Sequence, residues 1–226
     1  MRILIVAATE TEIAPLVARL RYSADRDERV KAYTHAGFEV DVLTTGVGMV
    51  ATAAWCSRAI GRTPYDLALN FGLCGTFDRE LAPGTVVQVV SERIAELGAE
   101  DDELFLTAHE LSLLGENEFP FTRGRLNNAA PPKNLALGQL PAVDGITVNT
   151  VHGNRRSIDA VVERFKPQVE SMEGAAFMYA CLINGLIFAE MRAVSNVVER
   201  RDRSAWNIPA AIRSLEQTAL HVLDGA

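Results

Sequence analysis

Short apolar runs punctuate this chain, and most are followed by a segment with helical spacing. The first, RILIVAA at residues 2–8, is apolar at every position after Arg2, the pattern of a strand buried on both faces. Similar runs predict strands near 30–36, 38–45, 66–71, 84–91, 145–150 and 187–195. Apolar residues recurring every three or four positions predict helices near 12–20, 48–61, 155–165, 173–185 and 208–223. This alternation predicts an α/β layer fold, read as one domain over residues 1–226. The segment HAGFEV, starting at His35, reads as a hairpin connection, which makes the central sheet mixed. Residues 115–143 are rich in Gly, Pro and Asn and lack periodicity; loops of that length are usually functional or disordered.

Composition narrows the function classes. With 226 residues and 48% hydrophobic content, the chain can build a sizeable core. A formal charge of −7 argues against binding a phosphate backbone, so no nucleic-acid partner is expected. Cys56, Cys74 and Cys181 form no CxxC, and the four histidines show no ligand spacing, so neither a disulfide framework nor a metal site is expected. No apolar run reaches the length of a membrane span and no signal peptide is read at the amino terminus. A cytoplasmic enzyme is the expectation.

Candidate chemistry gathers where strands end. Thr9 and Glu12 have the spacing of a capping box. If Thr9 capped the helix, however, Pro15 would be its sixth residue and would lose the bond to the Thr11 carbonyl. A helix starting near Glu12 avoids this and frees the carboxylate at the end of the first strand, where open α/β sheets bind ligands. Both readings stay open. Gly46 and Gly48 lack the third glycine of a dinucleotide fingerprint, Ala51 standing in its place, and Asp66 begins a strand instead of ending one, so no cofactor is expected. Gly72 and Gly75 follow the predicted strand that holds Asn70, as a tight turn or a place of close ligand approach. Met172 and Glu173 sit where a strand hands over to an apolar helix. Ser195 and Asn196 close another strand.

Taken in order, these fragments resemble the nucleoside phosphorylase and hydrolase superfamily, nearest to the methylthioadenosine/S-adenosylhomocysteine nucleosidases and, among those, the futalosine hydrolases. The matching elements are Glu10-Thr11-Glu12; Asn70, Gly72 and Gly75; Met172, Glu173 and Ala176; and Arg192, Val194, Ser195 and Asn196. The resemblance implies a three-layer fold, a purine nucleoside substrate, no cofactor and a homodimer. It implies that Glu12 activates water, that Met172 and Glu173 hold the ribose, and that Cys74, Gly75 and Ser195 lie beside the substrate. Trp206 would stand near the 5′ substituent. Asn196 departs from the Asp of adenine nucleosidases. An amide offers both a donor and an acceptor, which suits the O6 and N7 edge of hypoxanthine. The arginines that hold phosphate in phosphorylases are missing, which favours water as nucleophile. Arg155, Arg156, Arg123 and Lys133 are candidate partners for a 5′ carboxylate. Residues 101–114 have spacing that fits an interface helix and fits core burial equally well.

Overall fold

The computed structural model describes residues 1–225. Strand β1 (Arg2–Ala7) leads into α1 (Glu10–Val17), the strands β2 (Arg21–Asp25), β3 (Val30–His35) and β4 (Phe38–Thr44), and α2 (Met49–Arg62). The middle of the chain holds β5 (Leu67–Thr76), β6 (Val86–Ile94), a hairpin of β7 (Gly98–Asp101) and β8 (Leu104–Thr107), the short β9 (Leu126–Asn127) and the one-turn α3 (Leu135–Gly138). Then come β10 (Ala142–Thr147), α4 (Arg155–Phe165), β11 (Val169–Ser171), α5 (Gly174–Ile183), β12 (Phe188–Val197) and α6 (Ile208–Asp224).

The continuous apolar runs exist because the central strands feed two cores. In β1, Ile3, Ile5 and Ala7 join a cluster with Leu16 of α1 and Leu215 of α6. Leu4 and Val6 point the other way, into a cluster with Cys56 of α2 and Phe177 of α5. The same alternation divides Leu69 and Phe71 from Ala68 and Cys74 in β5. Side chains on a strand alternate faces, so helices on both sides require apolar residues at every position.

The sheet order is β11-β10-β6-β12-β5-β1-β4-β3-β2, with β9 on β6. Strand β11 also pairs with β5, Glu170 facing Gly75, and this second pairing closes five strands into a ring. Strands β1, β5 and β12 run parallel, so their carboxyl ends share one rim. The sheet is mixed, as the sequence predicts. The hairpin at His35 forms, with Ala36 at φ 46° and Gly37 at φ 85° in the two turn positions.

Several boundaries differ from expectation. Helix α1 begins at Glu10, with Thr9 as its cap and the capping box complete. Pro15 sits inside it, at the cost of one bond whose acceptor carbonyl belongs to exposed Thr11. Strand β5 continues through Gly72 and Gly75, so these glycines lie within a strand and form no turn. Residues 101–114 hold the end of the β7–β8 hairpin and turns, with no helix. The irregular segment 115–143 is anchored by packing: Phe121 and Leu126 enter one core, Leu137 the other, and the Asn128 side chain donates to the Phe188 carbonyl at 2.7 Å. None of its residues lines the cleft described below. No helix among the described residues is long and apolar enough to cross a membrane.

The two-core arrangement separates structural from peripheral leucines. Leu69→Ala is expected to cost about 2–5 kcal/mol. Leu104→Ala, on the exposed hairpin, is expected to stay within about 0.5 kcal/mol of the parent. Urea denaturation followed by far-ultraviolet circular dichroism measures both.

Candidate active site

The rim where β1, β5 and β12 end forms one wall of a cleft, and the β11–α5 junction, the loop after β10, the turn before α2 and the segment entering α6 complete it. Glu12, Cys74, Gly75, Met172, Glu173, Ser195, Asn196 and Trp206 all line it. A crevice beyond the ends of parallel strands is where such sheets bind ligands.

Glu12 serves the helix and faces the cleft at once. One carboxylate oxygen, Oε2, accepts from the Thr9 backbone N–H at 3.0 Å and from the Thr9 hydroxyl at 2.9 Å. The other, Oε1, accepts from the Leu73 N–H at 3.2 Å. The capping box and the functional reading are therefore not alternatives: the cap fixes the rotamer of a carboxylate that still has lone pairs to offer.

Glu173 precedes α5 but makes no side-chain bond to its own helix. Its Oε1 instead accepts the Gly48 N–H at 3.0 Å, across the cleft at the start of α2. This explains the glycine-bearing turn before α2: Gly46 and Gly48 have φ of 89° and 95°, and the turn presents a backbone donor to a carboxylate. Burial raises the Glu173 pKa above the usual carboxylate range, against the pull of Arg192 and the Gly48 N–H.

Arg192 organises the floor beneath these acids. It is fully buried, donating from Nε to Glu190 Oε1 at 2.8 Å and from Nη2 to Asn70 Oδ1 at 2.5 Å. Its Nη1 lies 3.8 Å from Glu173 Oε2. Burial opposes its charge, yet Glu190 and Glu173 hold the guanidinium pKa above its ordinary range. Any side chain at Gly72 would run into the Arg192 guanidinium, and one at Gly174 into the carboxylates of Glu92 and Glu190. Those glycines are clearance for a buried charge cluster. Glu92 is held by the Thr147 hydroxyl at 3.0 Å, and burial together with Glu190 pushes its carboxyl well above the usual range.

A register shift between Val194 and Asn196 in β12 turns the end of that strand toward the cleft. The Asn196 Nδ2 donates to the Val197 carbonyl at 2.9 Å, and its Oδ1 faces the Ser195 hydroxyl at 2.8 Å. A flipped amide would set oxygen against the Val197 carbonyl, so this contact fixes the orientation. One N–H and one lone pair of Asn196 remain available. Cys74, whose thiol burial pushes up to about 12, contributes a neutral wall and a backbone carbonyl 3.0 Å from the Ser195 hydroxyl.

Among the titratable residues of the wall, two escape the sequence reading. His152 Nδ1 lies 2.6 Å from Glu170 Oε2, and the His152 backbone N–H donates to Glu170 Oε1 at 3.1 Å. The available signal is positional: His152 follows a predicted strand end, as the other site residues do. Of the cations considered for a 5′ acid, Arg155 pairs with Asp159 and Arg156 with Glu103, and neither Arg123 nor Lys133 lines the cleft. Arg201 instead stacks over the Trp206 ring at 5.1 Å, beside the cleft. Among the described residues no group of three or more His, Cys, Asp or Glu could hold a metal ion.

Comparison with known proteins gives a consistent result. The family described as Phosphorylase superfamily matches residues 2–225. A futalosine hydrolase of Thermus thermophilus is 34% identical over 185 residues, covering 80% of each chain. A 5′-methylthioadenosine/S-adenosylhomocysteine nucleosidase of Shewanella oneidensis is 27% identical over 203 residues, covering 87% of this chain and 84% of that one. The native structure of a futalosine hydrolase of Helicobacter pylori strain 26695 superposes with a TM-score of 0.83 at 14% identity, over 100% of this chain and 98% of that one. The last likeness concerns the fold.

The buried cluster makes stability depend on Arg192 and on pH. Arg192→Met is expected to cost about 3–5 kcal/mol, because it leaves buried carboxylates without their partner, and adding Glu190→Gln is expected to recover part of the loss. Glu92 keeps its proton in the folded state where the unfolded chain, near the ordinary value of 4.5, has lost it. Stability therefore falls as pH climbs from that value toward the raised one, and Glu92→Gln should flatten the dependence. Urea titrations between about pH 5 and pH 8 read this slope.

Proposed function

The chain belongs to the phosphorylase superfamily, and we propose that it is one of the superfamily's hydrolases, cleaving the N-ribosyl bond of futalosine to hypoxanthine and dehypoxanthine futalosine. The observation that carries this reading is the composition of the cleft. It joins two carboxylates, Glu12 and Glu173, with the fixed amide of Asn196, and among the described residues no lysine or arginine lines it. A phosphate dianion would meet acids there with no lysine or arginine to hold it. Water meets an acceptor.

In the proposed reaction, water sits between Glu12 and C1′ of the ribose, and Glu12 accepts its proton as the C1′–N9 bond opens. Glu12 is already oriented by Thr9 and Leu73, so little ordering is left for the reaction itself. Glu173 accepts hydrogen bonds from the ribose hydroxyls, with Met172 against the sugar. Asn196 donates its free N–H to the purine as negative charge develops on it. Its paired donor and acceptor suit a 6-oxopurine, which makes hypoxanthine the preferred base over adenine. Trp206, with Arg201 over its ring, supports recognition of the aromatic acid beyond the 5′ carbon.

The wider setting follows from the same reading. Futalosine cleavage would place the protein in menaquinone biosynthesis, in the cytoplasm, where three buried cysteines without disulfides are at home. A homodimer is supported by exposed apolar side chains on two neighbouring helices: Val47 just before α2 and Val50 in its first turn, and Tyr179 and Ile183 on α5, which packs against α2. The single domain over residues 1–226 is part of this reading.

Incubation with futalosine, aminofutalosine, inosine and methylthioadenosine, with and without phosphate, tests it by assay of the free base. Hypoxanthine is expected from futalosine at a rate that phosphate does not change. Methylthioadenosine as the preferred substrate would instead make the protein an adenine nucleosidase. Glu12→Gln is expected to lower kcat by about 10²–10⁴-fold while substrate still binds. Asn196→Asp is expected to move preference toward 6-amino substrates, and an unchanged ratio would refute the base-selection argument.

A further inference from the structure

Asn196 leaves a chemical debt in the mechanism above. When the C1′–N9 bond breaks, its electron pair enters the purine, and the departing base needs a proton to leave as neutral hypoxanthine. An amide donates a hydrogen bond but does not give up its proton. The titratable side chains on the cleft wall are Glu12, Cys74, His152, Glu170 and Glu173. Glu12 is assigned to water and Glu173 to the sugar. The Cys74 thiol, pushed up to about 12 by burial, is a poor source. Glu170 is 4% exposed and already accepts two hydrogen bonds from a single residue, His152.

We propose that His152, oriented by Glu170, is the general acid that protonates the leaving purine. The proposal rests on the hydrolase reading and adds to it a residue and a step. Because Glu170 is an acceptor, the short contact fixes the hydrogen on Nδ1 and leaves Nε2 as the working nitrogen. The second bond, from the His152 backbone to the other oxygen of Glu170, locks the carboxylate in place. The Phe77 ring stands against the imidazole at 6.3 Å and 65°, which restrains the ring from a third side. His152 and Asn196 share walls of the cleft and of a smaller recess, whose charged lining residues are Glu199, Arg200, Arg201 and Asp202. A carboxylate that orients an imidazole whose far nitrogen handles a proton is the same division of labour that acid–base enzymes use elsewhere.

The step balances. The imidazolium delivers its Nε2 proton to N7 of the purine as the C1′–N9 pair moves into the ring system. Water adds to C1′ and gives its proton to Glu12. The products are the free base and the 1-hydroxy sugar, and the proton on Glu12 returns through solvent to His152. No other reactant is required. Glu170 is a positioning residue, since it acts through the imidazole.

The experiment varies how much the leaving group needs a proton. Wild type, His152→Gln and Glu170→Gln are assayed on futalosine, on inosine and on 4-nitrophenyl β-ribofuranoside, whose nitrophenolate departs without protonation. The expected result is a kcat loss of about 10²–10⁴-fold for His152→Gln on both nucleosides, a smaller loss for Glu170→Gln, and little change for either on the nitrophenyl riboside. As a second readout, imidazole added to His152→Ala is expected to restore part of the futalosine turnover. Equal losses on all three substrates with no rescue by imidazole would overturn the proposal and make the pair structural. A raised KM confined to futalosine, with inosine turnover intact, would overturn it in favour of contact with the 5′ group. Normal wild-type turnover with His152→Gln unimpaired defeats this proposal alone, whereas a wild type that frees no hypoxanthine defeats the hydrolase reading and this step together.

Discussion

One guanidinium, sealed from water, sets the terms for the active end of this molecule. Arg192 cannot be buried without carboxylates, so Glu190 sits against it and Glu173 within 3.8 Å. The cluster cannot assemble unless the neighbouring backbone leaves room, so glycine stands at position 72 in β5, against the guanidinium, and at position 174 at the start of α5, against Glu92 and Glu190. Asn70 completes the arrangement by accepting from Arg192 while its own amide donates to the Val6 carbonyl at 3.0 Å, which ties the cluster to β1. The cleft lies directly above. One of its acids, Glu173, stands beside a charge that never touches solvent, and its position is inherited from the packing beneath.

Such a foundation separates rigidity from reactivity. Glu12 is fixed by backbone N–H groups and a hydroxyl, Glu173 by a backbone N–H and the edge of the arginine, and Asn196 by a carbonyl and a hydroxyl. Each polar side chain therefore enters the cleft with part of its hydrogen-bonding capacity already satisfied and the remainder free. Preorganised dipoles of this kind need little reorganisation when charge develops in a bound ligand. The closed ring made by the β5–β11 pairing brings Glu170 opposite Gly75, and so places the Glu170–His152 pair beside the wall that presents Asn196.

The sequence announces this site unevenly. Glu12, Glu173 and Asn196 are visible because each falls where an apolar run ends, and strand ends can be counted from a pattern. Pro15 misleads, since it argues against a capped helix from Glu10 that nevertheless forms; the lost bond lies on an exposed face and costs little there. Gly72 and Gly75 mislead in one of their two readings: they form no turn, lying within a continuous strand, while Gly75 does line the cleft. Residues 101–114, the end of the β7–β8 hairpin and the turns after it, read as a helix because their apolar residues happen to recur at helical spacing.

Local periodicity, acting alone, decides that this is a mixed α/β chain, where its central strands run, and which carboxylates and amide stand at their ends; each of these is a property of neighbours along the chain. Tertiary structure decides what those residues do together. The partner of Glu173 is Gly48, 125 positions away, and the partner of Arg192 is Asn70, at a separation of 122. The partnership of His152 with Glu170 likewise depends on how β11 closes the ring. Hydrogen bonds and buried charges are satisfied in space, and the linear order of residues carries no record of which distant group will supply them.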